Sequence, residues 1–264
     1  MNFLYRIYQI VVALPVVVIA SVVCSLATVV GCLLGNASWW GYWPGRVWAV
    51  IVCRILLLPI RVEGRHRLDP DTSYVFVSNH QSYLDIFLIY GFLGHNFRWM
   101  MKRELRSIPF IGLACERAGE ILIDRSSPAR MKHSLIQAEK TLQGGTSLVV
   151  FPEGTRTRTG RVGPFRKGAF VLADELKLPV VPLTVSGPFR ALPRSKYEIG
   201  FVKRVPLTLT IHAPVPYTEK GQRLQPSRDT IVRSLPPNCG GESPSQNKDT
   251  ENTNTTSIGS DTRV

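Results

Sequence analysis

The stretch YVFVSNHQSYLDIFLIYGFL, residues 74–93, predicts a β-strand that leads directly into an α-helix. Its first part, YVFVS, is rich in the β-branched and aromatic residues that are typical of a buried strand. Its later part, LDIFLIYGFL, is a longer apolar run that follows Asn79 and Ser82, two residue types favoured in turns and helix caps. A strand followed at once by an apolar helix is the unit from which α/β folds are built.

The same alternation of strands and helices continues along the chain. Further strands are predicted in EILI (120–123), SLVVF (147–151), VVPLTV (180–185) and LTLTIHA (207–213), and further helices over about 128–142 and about 167–177. We therefore predict the α/β fold class, with a central β-sheet flanked by helices. Pro179 precedes the predicted strand at 180–185 and Pro182 lies within it, which indicates either an edge strand or a place where backbone approaches a ligand.

The N-terminal part of the chain is strongly apolar. No charged residue lies between Arg6 and Arg46, and residues 10–34 exceed the about 20 apolar residues that a membrane-spanning helix needs. Residues 39–60 contain five clustered aromatic residues, typical of the headgroup level of a bilayer, but Arg46 and Arg54 interrupt them. We predict a membrane-embedded helix followed by an interfacial or second short membrane helix; the alternative for 39–60 is the first helix of the soluble domain.

Three regions follow from these patterns. Residues 1–60 are predicted to form an N-terminal membrane anchor of one or two helices, and residues 61–220 the α/β domain. Residues 221–264 are predicted to be a tail that is disordered from about residue 236, because it holds almost no large apolar side chains there.

The net charge indicates an anionic partner. The chain has 32 basic and 19 acidic residues, for a formal charge of +13. This balance favours a membrane surface, a nucleic acid, or a phosphorylated or CoA-like substrate. No nucleic-acid-binding motif is apparent, and the five cysteines show neither a disulfide framework nor zinc spacing. We therefore expect no nucleic acid, metal or cofactor.

His80 and Asp85 form a candidate general base with its carboxylate. On a regular helix two residues five apart point about 140° away from each other, so the pair requires His80 to precede the helix. A histidine at a strand-to-helix junction, with a carboxylate on its Nδ1, can remove a proton from a hydroxyl. The spacing alone is weak evidence, because His66 and Asp71 share it in a charged, proline-containing turn; the alternative for His80 is a loop cap.

Basic residues gather where predicted strands end. FPEGTRTRTG (151–160) follows the strand SLVVF and places Gly154, Thr155 and Arg156 in one loop, a composition that favours an anion site. It lacks the G-K-[ST] of a nucleotide-binding loop. Arg125 and Lys102 are further candidate phosphate contacts, although each alone is more typical of a charged surface.

Taken in order, these segments resemble the motifs of the glycerolipid acyltransferase family, in particular bacterial 1-acylglycerol-3-phosphate acyltransferases. NHQSYLD is similar to the first motif, N-H-x-x-x-x-D, GEILIDR to the second, FPEGTR to the third and VVPLTVSG to the fourth. KRELRSIPFIG is similar to the linking segment K-x-x-L-x-x-I-P-x-x-G. The resemblance covers about residues 60–215 and implies a single acyltransferase domain.

The resemblance implies a reaction and roles for the motif residues. An acyl group would move from acyl-CoA or acyl carrier protein to the sn-2 hydroxyl of 1-acylglycerol-3-phosphate (lysophosphatidic acid), giving phosphatidic acid. His80 would be the base and Asp85 its orienting carboxylate. The implied substrate-binding residues are Arg156, Glu153, Gly154, Thr155, Arg125, Lys102 and Pro182, the last with the acyl donor. No G-x-S-x-G elbow is present, which argues against a covalent acyl-enzyme.

Two other interpretations stay open at this stage. The same chemistry could act on another lysolipid or a hydroxylated lipid, or the chain could be a non-catalytic membrane module that binds anionic lipids. For the enzyme we expect a membrane protein whose catalytic domain faces the cytoplasm, where thioester donors are made.

Overall fold

The structure is a computed structural model that describes residues 3–108, 110–123, 136, 140–142, 145–194, 200–217 and 222–237. Arg125, nearly all of the helix predicted over 128–142, and the tail beyond residue 237 lie outside the described residues. The described helices are α1 (Phe3–Tyr8), α2 (Leu14–Leu34), α3 (Ala37–Trp40), α4 (Trp43–Ile55), α5 (Leu84–Phe92), α6 (Ile111–Arg117), α7 (Gly168–Glu175), α8 (Pro188–Ala191) and α9 (Leu224–Ser234). The described strands are β1 (Ile60–Glu63), β2 (Val75–Ser78), β3 (Phe97–Lys102), β4 (Ile121–Ile123), β5 (Ser147–Val150), β6 (Val180–Ser186) and β7 (Leu207–Ile211).

The described strands form one seven-stranded sheet in the order β1-β7-β6-β2-β5-β3-β4. The five strands from β6 to β4 in this order run parallel, β7 is antiparallel to β6, and β1 is parallel to β7. The predicted α/β fold class is confirmed, and every strand predicted from the sequence is present. In such sheets ligands bind outside the carboxyl ends of the parallel strands, so β2, β5 and β6 direct their following loops to one edge.

Helices cover both faces of the sheet. On one face Phe76 and Leu183 pack with α4 and α5, in a core that includes Ala49 and Leu88. On the other face the alternate strand residues, such as Val75 and Leu148, pack against α7 and α9. Because helices cover both faces, β2 and β5 are buried at every position, and their apolar residues are consecutive rather than alternating with polar ones.

The prediction of an edge strand at 180–185 is wrong, because β6 lies between β7 and β2. The backbone N–H and C=O of Val180 both bond to Val215, which follows β7 in the chain. Pro182, two residues later in β6, points its backbone to the same side, where its carbonyl accepts the His212 N–H. There the register shifts by one residue between this pair and the Leu183–Ile211 pair. The shift is a bulge, one of the places where an interior strand tolerates a residue without an N–H.

The N-terminal helix is one apolar rod from Phe3 to Leu34, in which a π-helical turn, Gln9–Ala13, joins α1 to α2. Among the described residues it is the one helix long and apolar enough to cross a membrane. Only 11% of its most apolar window is buried, whereas a core helix of similar composition would be mostly buried. This exposure is consistent with membrane association.

The segment after this rod belongs to the α/β core. In α4, Val52 and Cys53 are buried, and the helix packs along α5, while Trp43 and Val47 stay exposed. The packing therefore supports the alternative interpretation of residues 39–60, a first helix of the α/β domain. The predicted boundary at residue 60 separates α4 from the sheet against which it packs.

Candidate active site

His80 lies in the loop between β2 and α5, at the carboxyl edge of the sheet. Its backbone N–H donates to Glu153 Oε1 at 2.7 Å, and its carbonyl accepts from the Thr157 N–H at 2.9 Å. The preceding residue, Asn79, is fully buried and exchanges two hydrogen bonds of 2.9 Å with the backbone of Val185 in β6. The loop is thus fixed to both neighbouring strand ends before any substrate arrives.

The structure brings the histidine and aspartate together. His80 Nδ1 lies 2.9 Å from Asp85 Oδ2, and the Asp85 side chain is fully buried in the first turn of α5. The same oxygen accepts the backbone N–H groups of Gln81 at 2.5 Å and Ser82 at 2.8 Å, which bends the chain as the spacing requires. Because a carboxylate can only accept, Nδ1 carries the proton and Nε2 keeps its lone pair for a substrate hydroxyl.

Stacked aromatic side chains fix the orientation of the His80 imidazole. Phe151, the first residue of the FPEGTR loop, stacks on the His80 ring with centroids 3.8 Å apart and planes 10° apart. Trp99 in β3 also stacks on Phe151, with ring centroids 5.4 Å apart. These contacts and the Asp85 bond leave the His80 ring little rotational freedom. The sequence analysis assigned roles to other residues of the FPEGTR loop and missed the role of Phe151.

Glu153 and Gly154 shape the loop after β5. The Glu153 carboxyl is buried and accepts two backbone N–H groups, from His80 and, at 2.8 Å, from Gly163. Burial raises the pKa of Glu153, although the two N–H donors oppose the shift. Gly154 has φ +72°, and a Cβ there would stand 3.2 Å from Arg166 Nε. Both residues thus hold the loop in place, with the Glu153 oxygens occupied by the backbone.

Two guanidinium groups face the same cavity as His80. The Arg156 guanidinium carbon stands 3.5 Å from the centroid of the Tyr83 ring. Arg194, which the sequence analysis missed, donates from Nη1 to Thr155 Oγ1 at 3.0 Å and to the Arg156 carbonyl at 3.2 Å. The signal that could have found it is the basic run after the fourth motif, since that chain also leaves the carboxyl end of a parallel strand.

The remaining predicted residues lie elsewhere. Lys102 is the last residue of β3, so its backbone reaches the correct edge, but its side chain is outside the described part of the chain, as is Arg125. Pro182 is buried in the sheet opposite Val77 and lines neither described cavity near His80. Within the described ranges no three His, Cys, Asp or Glu side chains are grouped closely enough to hold a metal ion.

Two cavities meet beside the histidine. The larger, about 610 Å³, is lined by the polar residues His80, Glu104, Thr155, Arg156 and Arg194 together with apolar side chains. The smaller, about 260 Å³, is almost wholly apolar and lies among α2, α4, α5 and α6, with Glu120 in its wall. The residues that line both are Ile86, Trp99, Met101 and Leu105. A charged cavity therefore adjoins an apolar one, and these four side chains form the wall that the two cavities share.

Comparisons with known proteins agree with this geometry. The family model described as "Acyltransferase" matches residues 59–186. The chain is 35% identical over 176 residues to the chloroplastic 1-acyl-sn-glycerol-3-phosphate acyltransferase BAT2 of Brassica napus, covering 66% of this chain and 50% of that one. It is 38% identical over 144 residues to the human 1-acyl-sn-glycerol-3-phosphate acyltransferase alpha, covering 51% of each.

A solved structure shares the fold. The 1-acyl-sn-glycerophosphate (LPA) acyltransferase PlsC from Thermotoga maritima superposes with a TM-score of 0.71 at 24% identity, over 88% of this chain and 93% of that one. The chain spans about half the length of the curated relatives it matches. The matched region contains the His80–Asp85 pair and the FPEGTR loop in the order the motifs require. Residues 59–186 therefore form a domain of the acyltransferase family, which confirms the resemblance to glycerolipid acyltransferases drawn from the sequence motifs.

Proposed function

We propose that the chain transfers an acyl group from acyl-CoA or acyl carrier protein to the sn-2 hydroxyl of 1-acylglycerol-3-phosphate, giving phosphatidic acid. The observation that carries the proposal is the His80–Asp85 pair, 2.9 Å apart, at a cavity that also holds two arginines. The names of the relatives support this acceptor and this reaction.

The chemistry needs one base and no covalent acyl-enzyme. His80 Nε2 takes the proton of the acceptor hydroxyl as its oxygen attacks the thioester carbonyl. The tetrahedral intermediate collapses, the carbon–sulfur bond breaks, and the departing thiolate takes the proton from the imidazolium. Asp85 stabilises the positive charge that His80 carries between these two steps, and its burial strengthens that interaction.

The two cavities divide the substrates by their chemistry. Arg156 and Arg194 would hold the phosphate of the acceptor, because guanidinium groups match phosphate geometry with paired donors. The apolar cavity would hold an acyl chain, whose burial contributes about 0.8 kcal/mol for each methylene group. An acyl chain in the apolar cavity would reach the large cavity, and the His80 ring, at the residues that line both cavities.

The protein would act at a membrane, with the catalytic domain on the cytoplasmic face that supplies thioester donors. The exposed apolar N-terminal helix supports the membrane site. An acceptor that is amphiphilic could then keep its tail in the bilayer while its headgroup reaches the arginines.

The test is acyl transfer from labelled acyl-CoA or acyl carrier protein to lysophosphatidic acid, in membranes that carry the chain. His80→Ala should lower turnover at least about 100-fold, the usual contribution of a general base. His66→Ala is the matched control, because His66 is exposed and has the same spacing to an aspartate. Turnover only with another lysolipid would replace the acceptor. Lipid binding without turnover on any acceptor would replace the enzyme by a non-catalytic lipid-binding module.

A further inference from the structure

A second apolar surface lies next to the N-terminal helix. Four large apolar side chains between β3 and the end of α6 are exposed, and we call them the apolar lip: Leu105, Ile108, Phe110 and Leu113. Phe110 is 58% exposed and Leu113 48%. Single exposed apolar residues are ordinary on soluble proteins, but a cluster of this kind marks an interaction surface.

Helix α6 is apolar on two opposite sides. Ile111, Ala114 and Cys115 turn inward and line the small cavity, whereas Phe110 and Leu113 are not among the cavity residues and are exposed. The charged residues of this segment come at its two ends, where Arg106 pairs with Glu116 at 2.8 Å. A helix with apolar side chains on both sides is stable where both sides meet apolar surroundings.

The lip is continuous with the candidate membrane span. Helix α6 packs along α2, whose own apolar side chains, among them Val23, Leu26 and Val30, are exposed. A bilayer that takes up α2 therefore also meets α6. This continuity identifies the occupant of the lip as the lipid of the same membrane rather than another protein.

The lip also borders the entrance to the apolar cavity. Leu105 and Ile108 are both exposed and part of the cavity lining, and Leu105 lines the larger cavity as well. A residue with these two properties stands where the cavity opens to the outside. Tyr83, which stacks against Arg156 at the start of α5, has the same two properties.

We propose that the apolar lip is a second membrane contact, which dips into the bilayer beside α2 and admits lipid chains from the bilayer directly into the apolar cavity. The lip would lie at the level where short amphipathic segments bury their apolar side chains below the headgroups. The membrane contact stands on the exposed residues alone; the admission of lipid chains rests on the proposed function.

The membrane contact is tested without any activity. The full chain, carrying an environment-sensitive fluorescent amino acid at position 113, is reconstituted in vesicles of phosphatidylethanolamine and phosphatidylglycerol. Position 171 is the matched control, because Val171 is 45% exposed and lies on α7, on the opposite face of the sheet. The proposal requires blue-shifted emission and quenching by doxyl-labelled lipids at 113 and neither effect at 171. Emission at 113 that matches 171, or a blue shift without lipid quenching, would overturn it, the second outcome indicating contact with another protein copy.

The admission of lipid chains is tested by kinetics. Leu113→Glu should raise KM for a bilayer-held long-chain lysophosphatidic acid about tenfold, equivalent to about 1.4 kcal/mol. It should leave unchanged the rate on a short-chain acceptor that dissolves as a monomer, and Val171→Glu should change neither. Equal losses on both acceptors would show damage to the site and would refute the portal. If the wild-type chain has no transferase activity, the proposed function fails, while the fluorescence still decides the membrane contact.

Discussion

Asp85→Asn separates the charge of the dyad from its geometry. Asp85 Oδ2 accepts three donors, the His80 ring and the backbone N–H groups of Gln81 and Ser82, whereas Oδ1 has no described hydrogen-bond partner. An asparagine can place its carbonyl oxygen at the Oδ2 position and keep all three bonds. Its NH₂ then takes the buried Oδ1 position, where an unmatched donor costs about 1–3 kcal/mol of stability.

The charge is what the variant loses. During the reaction His80 becomes an imidazolium next to the Asp85 carboxylate, and two such charges about 4 Å apart attract by about 4 kcal/mol at an effective dielectric of about 20. The asparagine dipole recovers part of this, so kcat should fall about 10²- to 10³-fold, with KM for both substrates nearly unchanged.

The assay is steady-state acyl transfer together with thermal unfolding in detergent, which confirms that the variant is folded. Asp71→Asn is the matched control, because Asp71 is exposed and stands five residues after His66. A folded Asp85→Asn protein that kept more than about a tenth of the wild-type kcat would refute the role of Asp85 as stabiliser of the imidazolium.

Three further substitutions probe the rest of the site. Arg194→Gln removes one of the two guanidiniums in the large cavity. It should raise KM for a phosphate-bearing acceptor about tenfold with little change in kcat, because it removes a charge-assisted hydrogen bond. Arg190 is exposed, and Arg190→Gln should change neither value. Ala118→Leu fills part of the apolar cavity and should shorten the preferred acyl chain by about two or three carbons in a competition between lysophosphatidic acids of different chain length, each lost methylene costing about 0.8 kcal/mol. Burial raises the pKa of Glu120 from 4.5 to about 7, so the wild-type chain loses about 3 kcal/mol of unfolding free energy as pH rises through this window. The Glu120→Gln variant cannot titrate at this position. Its unfolding free energy, measured by chemical denaturation and compared with that of the wild type, should therefore rise by about 3 kcal/mol between pH 4.5 and 8. A difference between the two proteins that does not depend on pH would contradict the buried carboxyl.

The parts of the fold that the sequence predicted are those where one local pattern decides the structure. The run at 74–93 specifies β2 and α5 because its apolar residues are contiguous and its turn residues stand between them. The contact between His80 and Asp85 followed from the same stretch, since it depends only on where the helix begins. The order of the motifs then gave the family resemblance, which implied that His80 and the FPEGTR loop serve one site.

What the sequence did not predict depends on distant partners. Strand β3 was missed because Arg98 interrupts its apolar pattern, and only the structure shows which groups bind the two terminal nitrogens of that buried guanidinium. It donates to the backbone carbonyls of Ala37 and Ser38, at 3.3 and 3.2 Å, and so ties the segment before α4 to the sheet. The interior position of β6 likewise depends on a bulge opposite Pro182, which no local rule for proline predicts.

The shared wall of the two cavities links the chemistry to the choice of acyl chain. Trp99 lines both cavities, stacks on Phe151, which itself stacks on the His80 ring, and donates its backbone N–H to Glu120 in the apolar wall. A chain that presses on Trp99 from the apolar side therefore also presses on the support of the imidazole. Since packed aromatic rings transmit displacement rather than absorb it, an acyl chain too long for the cavity is expected to lower kcat as well as affinity. Ala118 lines the apolar cavity but not the larger one that contains His80, so substitutions there should change the preferred acyl chain and leave the chemical step intact.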